Sequence, residues 1–392
     1  MKLDDFDINE DINTDNKPKK KHSSKKKAAS PNGLTAFLTL IIGLLLGALI
    51  MMLIVHYTDD VSGVAASTAK ENEKEVIQVG DNEKVRAEDS PSEEEIDLIA
   101  EEVAADIKDS ETDESILQKN AALSSIVALK QSLQNGDSVS KALRKTFTNE
   151  LVCARDGKYY FTPIDEHLNK NDYIPESLVI RDDGRYEYCF EDGTKAKTGI
   201  DVSKYQGEVD WDMVASDGID FAIIRAGIRG YESGKLVLDE DFALNITQAI
   251  DAGLDVGVYF FSQAVTTDEA EEEINAIVEA LDGNPLNYPI VYDLEYVKGG
   301  RREGIDISKS TDIARAFCER ALECGYTPMI YGNLDTFLLQ LELSRIEDTG
   351  KWFAYYDTDF YFPYNYDMWQ YTDSGTVEGI AGDVDLNLDM RH

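Results

Sequence analysis

Asp293 and Glu295 stand one residue apart at the end of the run Pro289-Ile-Val-Tyr-Asp-Leu-Glu295. Side chains two apart on a strand share a face, so a strand here points both carboxyls one way, about 6.5–7 Å apart at Cβ. Two like charges that close raise the pKa of one of them. A carboxylic acid kept protonated beside an ionised partner is what cleaving a glycosidic bond requires. In a chain with 76 acidic residues the same spacing could also be two surface acids; the apolar Pro289-Ile-Val-Tyr292 run ahead of the pair argues for a strand end.

Other chemistries find few residues to work with. Histidine occurs only at His22, His56, His167 and His392, so residues 168–391 cannot build a Ser-His-Asp triad, a Cys-His dyad or a histidine-ligated zinc site. No GxxxxGK[ST] phosphate loop is present. A formal charge of −38, from 38 Lys+Arg against 76 Asp+Glu, argues against nucleic acid, which needs clustered cations. Acid–base work in the C-terminal half therefore falls to carboxylates, and neither metal nor cofactor is expected.

The elements that must position these acids alternate. Strands are predicted at 199–203, 220–227, 254–263, 288–296, 327–333, 351–357, 366–372 and 383–388, and helices at 209–217, 239–252, 267–281, 308–324 and 334–347. Alternation of this kind predicts an α/β fold, a parallel sheet with crossover helices. Eight strands with five helices fit a short, irregular (β/α) barrel over 198–392; about 190 residues is brief against the roughly 250 of a full eightfold barrel. The C-terminal ends of parallel barrel strands converge on one mouth. There the sequence places Asp201, Arg225, Gln263, Asp293, Glu295, Asn333 and Gln370. Aromatic residues cluster with them: Tyr259, Phe261, Tyr331, Tyr355, Tyr356, Trp369 and Tyr371. Rings lining a groove give sugars apolar faces to stack on, although strand alternation turns about half of them toward the helices.

Upstream, residues 34–55 (LTAFLTLIIGLLLGALIMMLIV) carry no charge. At about 1.5 Å per residue they span roughly 33 Å, enough for a bilayer core. They are too long for a signal-peptide core, and no small-residue cleavage site follows. Lys17, Lys19, Lys20, Lys21, Lys25, Lys26 and Lys27 precede the span, and Thr58, Asp59 and Asp60 follow it. The positive-inside rule then predicts a basic cytoplasmic tail at 1–33, a transmembrane helix at 34–55 and the remainder outside the cell. Gly43 and Gly47 have a spacing that would permit self-association through the helix, a weak signal in a Leu/Gly-rich span. Residues 56–145 read as an acidic linker and helical stalk. A capping box at Ser92/Glu95 opens a stripe of Ile96, Ile99, Val103 and Ile107, and a second helix is predicted over 113–134, stopping near Asn135-Gly136. Only about three heptads are available, which favours helices packed locally over a coiled-coil spacer, the other route to self-association. Residues 146–197 form a small β-rich segment with a hairpin signal at Asp183-Gly184. Cys153 and Cys189 flank that segment where a disulfide is permitted, and sequence leaves their pairing open.

The segment Gly199-Ile-Asp-Val-Ser-Lys-Tyr-Gln-Gly207, followed by Val209-Asp-Trp211, resembles the opening of the family 25 glycoside hydrolases, the Chalaropsis-type lysozymes. Phe221-Ala-Ile-Ile-Arg-Ala-Gly227, Gly257-Val-Tyr-Phe-Phe-Ser-Gln263, Pro289-Ile-Val-Tyr-Asp-Leu-Glu295, Met368-Trp-Gln-Tyr-Thr372 and Val384-Asp-Leu-Asn387 continue the resemblance in order, over residues 199–388. It implies an N-acetylmuramidase that hydrolyses the β-1,4 bond between N-acetylmuramic acid and N-acetylglucosamine in peptidoglycan glycan strands. Glu295 then matches the general acid/base and Asp293 its partner, while Asp201 and Asp385 match the two further acids. Arg225, Tyr259, Phe261, Gln263, Tyr331, Asn333, Tyr355, Trp369 and Gln370 are the candidate substrate-binding residues. The resemblance also implies net retention, with either the substrate's 2-acetamido oxygen or Asp293 as nucleophile. With the anchor, the expectation is an enzyme on the outer face of the cell membrane of a Gram-positive bacterium. The rivals are a non-catalytic glycan-binding module and a scaffold whose stalk carries the function.

Overall fold

The structure, a computed structural model, describes residues 75–78 and 113–391. The expected tail, the apolar span at 34–55, most of the linker and the helix expected from Ser92 lie outside the described residues. No helix among the described residues is long and apolar enough to cross a membrane. The described residues fall into two compact units that divide between Ile164 and Asp165. The β-rich stretch at 146–197 accordingly holds two hairpins, one in each unit.

The upstream unit pairs strand β1 (Glu75–Gln78) with a hairpin and two helices, α1 (Asp113–Gln134) and α2 (Val139–Thr146). The helix expected at 113–134 stops at Asn135-Gly136, where Gly136 takes a φ of 87° that other residues adopt reluctantly. Ser138 caps α2 by accepting from the Lys141 amide. The hairpin joins β2 (Glu150–Arg155) to β3 (Lys158–Pro163), and β1 pairs antiparallel with β3. Leu143, Val152 and Phe161 form the core, with Phe147 edge-on to Phe161 at 5.0 Å.

The downstream unit opens with a hairpin, β4 (Leu178–Ile180) and β5 (Tyr186–Tyr188), turning at Asp183-Gly184 as expected. The eight expected barrel strands follow. They are β6 (Lys197–Val202), β7 (Phe221–Arg229), β9 (Asp255–Phe261), β10 (Ile290–Asp293), β11 (Pro328–Gly332), β12 (Gly350–Ala354), β13 (Met368–Gly375) and β14 (Val384–Asp389), with β8 (Leu236–Leu238) as an added edge on β7. Helices α3 (Trp211–Ser216), α4 (Phe242–Asp251), α5 (Thr267–Leu281) and α6 (Ile307–Glu323) lie between successive strands. Apart from the edge strand β8, which is antiparallel to β7, strands β6 to β13 pair in parallel, and β14 closes the ring by pairing with both β13 and β6.

Two expectations are corrected. The barrel is not wholly parallel, because β14 runs antiparallel to both neighbours. The link from Gly375 to Val384 is shorter than the dozen or so residues a parallel crossover needs, so the chain can only turn back. The fifth helix, expected at 334–347, is a single π turn at Thr336–Gln340 followed by a 3₁₀ turn at Leu343–Arg345. Thr336, Phe337 and Leu338 are buried in a row, and a regular surface helix would turn one of the three to solvent.

Inside the ring, Phe221, Ile223, Tyr288, Val291, Met329, Trp352 and Met368 make a closed apolar plug. Gly199 is needed there, since a Cβ at that position would sit 2.2 Å from the Phe221 ring. Outside the ring, the segment from Asn169 to Tyr188 packs on β13 and on the loop at 360–366. Alternation on β13 sends Trp369 and Tyr371 outward. Tyr186 stacks on Tyr371 at 4.3 Å and lies 5.5 Å from Trp369, while Tyr173 meets Tyr366 at 4.8 Å. Asn171 donates from its side-chain amide to the carbonyls of Phe362 and Tyr364, and Arg185 ties the hairpin to Asp217 and to the Thr376 carbonyl. This strap is part of the barrel's core. Tyr186→Ala is expected to lower unfolding stability by about 2–4 kcal/mol in urea titration, through the lost aromatic contacts and the cavity they leave; a change within about 0.5 kcal/mol would mark the hairpin as peripheral.

Candidate active site

The mouth is built by strand register. Asp293 ends β10 level with Phe261 on β9 and Tyr331 on β11, and Tyr331 is level with Trp352 on β12. Asp201 on β6 is level with Asp385 on β14. Because β14 runs the other way, Asp385 reaches this mouth from the start of its strand, where the other acids reach it from strand ends. Asn387 shares the inner face with Asp385 and pairs with Gln370 of β13. A cleft of about 240 Å³, open to solvent, is lined by Asp201, Tyr259, Asp293, Glu295, Tyr331, Trp352 and Gln370.

Hydrogen bonds within the cleft are directional. The Gln370 Nε2 and Asn387 Nδ2 amides each donate to Asp201 Oδ2 at 2.9 Å. The hydroxyls of Tyr331 and Tyr356 both donate to Gln370 Oε1 at 2.8 Å, and Trp352 Nε1 donates to Asn387 Oδ1 at 2.8 Å. Asp293 is 2% exposed, and its buried Oδ1 has no hydrogen-bond partner in the structure.

Burial dominates the acids' ionisation, since loss of water disfavours the charged form. It raises Asp293 well above the usual carboxylate range, with the Glu295 and Asp201 charges adding to the effect. It raises Asp385 likewise, with Asp201 next in weight. Glu295 keeps some exposure at the rim, yet dense packing around its carboxyl and the nearby Asp201 charge push it up to about 7. Asp201 is also raised by burial, but the amides of Asn387 and Gln370 pull it back down. The cluster thus supplies what an acid-catalysed cleavage of an acetal needs at neutral pH: a carboxyl able to hold a proton there, set among other carboxyls.

The other expected contacts separate into two groups. Tyr259, Tyr331 and Gln370 line the cleft. Phe261 is buried at the level of Asp293. Arg225 is buried on β7, paired with Asp239 at 2.6 Å, under the Tyr205 ring at 5.0 Å. Gln263 is wholly buried and donates to the Glu295 carbonyl at 3.3 Å, which makes it a support for the acid's backbone. Asn333 is exposed and accepts from the Thr336 amide. Tyr355 stacks on Phe353 at 5.6 Å and donates to Asp359, and Trp369 faces the strap outside the ring. These last three are not brought to the cleft. Sequence reasoning passed over Trp352 and Asn387 as site residues. Asn387 was within reach of it, lying two residues past Asp385 on the same strand face. No disulfide forms among the described residues, which hold all four cysteines; Cys318 is buried on α6.

An α/β barrel with a carboxyl cluster at its mouth defines a glycoside hydrolase type of site. Residues 200–380, most of the barrel, match the family Glycosyl hydrolases family 25. The chain is 29% identical over 191 residues to the autolytic lysozyme of Clostridium acetobutylicum, covering 48% of this chain and 54% of that protein. It is 28% identical over 210 residues to lysozyme M1 of Streptomyces globisporus, covering 50% of this chain and 68% of that one. Among solved structures, the modular autolysin LytC of Streptococcus pneumoniae, in complex with a synthetic peptidoglycan ligand, aligns with a TM-score of 0.46 at 24% identity, over 61% of this chain and 56% of that one. The chain spans about half the length of the clostridial relative.

The buried acids leave a mark on stability. Asp293 keeps its proton in the folded state at pH values where the unfolded chain has lost it, so stability falls as pH rises from about 4 toward its raised folded value. Asp293→Asn is therefore expected to raise the melting temperature at pH 7 by a few degrees, the gain shrinking toward pH 4. An equal or lower melting temperature at pH 7 would contradict the burial of an ionisable group there.

Proposed function

We propose that the chain is a membrane-tethered N-acetylmuramidase that hydrolyses the β-1,4 bond between N-acetylmuramic acid and N-acetylglucosamine in peptidoglycan. The observation that carries this reading is Glu295 at the rim of the cleft, its carboxyl held protonated near neutrality beside the buried Asp293 and Asp201. Glu295 gives its proton to the departing glycosidic oxygen. The positive charge developing at the anomeric carbon is met by the substrate's own 2-acetamido oxygen, oriented by Asp293 through the carboxyl oxygen that has no protein partner. Glu295 then takes a proton from the incoming water. Tyr259, Tyr331 and Trp352 close the floor of the cleft with rings, a dry surface beside which these charges act more strongly than in water.

The tether is the second part of the proposal. Residues 199–392 carry 13 Lys+Arg against 38 Asp+Glu, a difference of −25, so an anionic wall repels the barrel. An anchor at 34–55 would hold the enzyme against its substrate without charge attraction, by raising the local concentration. The N-terminus would then be cytoplasmic and the barrel outside the membrane of a Gram-positive cell.

Glu295→Gln is expected to cut release of reducing ends from purified sacculi by about 10²–10⁴-fold while wall binding persists. Mass spectrometry of the wild-type digest should show fragments ending in reducing N-acetylmuramic acid. Reducing N-acetylglucosamine would make the enzyme a glucosaminidase, and sedimentation with sacculi without any cleavage would make the barrel a binding module. Because the acid form of Glu295 is lost through about pH 7, the wild-type rate is expected to fall above that pH; a rate flat to pH 9 would exclude Glu295 as the proton donor. For the tether, the full chain should partition with membranes after cell fractionation, and a chain starting at residue 58 should not.

A further inference from the structure

Two side-chain amides converge on one carboxylate oxygen at the mouth, and both are aimed by aromatic donors. Each amide has an oxygen that accepts and a nitrogen that donates. The Tyr331 and Tyr356 hydroxyls take the Gln370 oxygen, and the Trp352 indole takes the Asn387 oxygen. In each case this leaves only N–H to face Asp201 Oδ2. A flipped Asn387 would set its amide hydrogens against the Trp352 indole N–H, which can only donate, and its oxygen against Asp201; the Tyr331 and Tyr356 hydroxyls, through their hydrogen bonds, hold Gln370 in the same sense. The arrangement therefore favours an acceptor at residue 201, and an ionised carboxylate is the better acceptor.

Resting on the muramidase reading, we propose that Gln370 and Asn387 are positioning residues that hold Asp201 as the ionised member of the acid cluster, so that its charge keeps Glu295 in the proton-donating form. The clamp distinguishes Asp201 from its neighbours. Asp293 has a buried oxygen without a partner and is raised well above the usual carboxylate range by burial, whereas at Asp201 the Asn387 and Gln370 amides oppose the effect of burial. Among the described residues, the groups whose charges also act on this cluster include the carboxyl of Asp373 near Asp385, the hydroxyls of Tyr259, Tyr331 and Tyr356, and the Arg225 cation. Arg225 is already paired with Asp239. Among the described residues no cation is paired with Asp201. Its charge is solvated by amide dipoles, and so remains available to act on Glu295.

The test is the pH dependence of kcat/KM for reducing-end release from sacculi. Gln370→Met and Asn387→Leu keep side-chain size and remove the donors. With a donor gone, Asp201 takes up a proton more readily, and Glu295 ionises more easily. The alkaline limb is expected to move to lower pH by about one unit, the effect of losing one close like charge. Asp201→Asn, which removes the charge outright, should move it at least as far, and Gln370→Met added to Asp201→Asn should move it no further. Residual activity and a thermal melt identify the folded variants, and any one of the three carries the test. A folded variant whose rate drops equally at every pH, with the limb unmoved, overturns the clamp and leaves a merely structural role. An active wild type with unshifted variants sinks this inference alone, whereas a wild type that cleaves no glycan removes the muramidase reading and the inference with it.

Discussion

Closing a sheet into a ring dries whatever its inner face presents, and in this barrel the inner face presents acids. Elsewhere the protein handles buried charge by pairing it. Arg225 meets Asp239 at 2.6 Å, and Arg229 meets Glu273 at 2.6 Å, with both partners nearly inaccessible. At the mouth the rule is suspended: Asp201 and Asp293 are buried, and among the described residues no cation is bridged to either. Burying an unpaired carboxylate is costly enough that the group takes up a proton instead. The plug below the mouth, made of rings and aliphatic chains, enforces that cost. Proton affinity in the cleft is thus a consequence of the fold's closure, graded by how many N–H groups each carboxyl meets.

Closure in turn depends on one reversal. Seven strands run alike, and the eighth fits only because its short connection forces it to run back between β13 and β6. The reversal exchanges the ends of β14, which is why an acid at the beginning of a strand joins acids at the ends of others. It also places Asn387 one pleat deeper than Asp385, within reach of Asp201.

Much of this was legible in the residues. The eight strands were marked by short apolar runs and four of the helices by their periodic stripes; the Asp293/Glu295 pair does meet at the cleft, although β10 ends at Asp293, short of the expected 288–296, and Glu295 follows it as irregular chain. The direction of β14 is a property of its connection and neighbours, which strand patterning does not encode. The failed helix at 334–347 has good local propensity, but tertiary burial of Thr336, Phe337 and Leu338 overrides it. Aromatic residues were the least legible, because period two says that neighbours face opposite ways without saying which faces in. Trp352 went unnoticed while Trp369 was favoured, and the structure puts Trp352 in the cleft and Trp369 under the strap. The amide clamp was hidden for a further reason: Gln370 and Asn387 come from different strands, and their roles depend on donors from two more.

The strap across β13 has a mechanical consequence. Chain upstream of Asp165 joins the barrel through Asn169, Asn171, Tyr173 and the hairpin before it reaches β6. A pull from that direction is borne first by ring stacking and by the Arg185 tie to Asp217, on the outside of the ring. Strand β6, which carries Asp201, is shielded behind that clasp. Tension on the upstream chain would have to peel the clasp away before it could disturb the spacing of the acids.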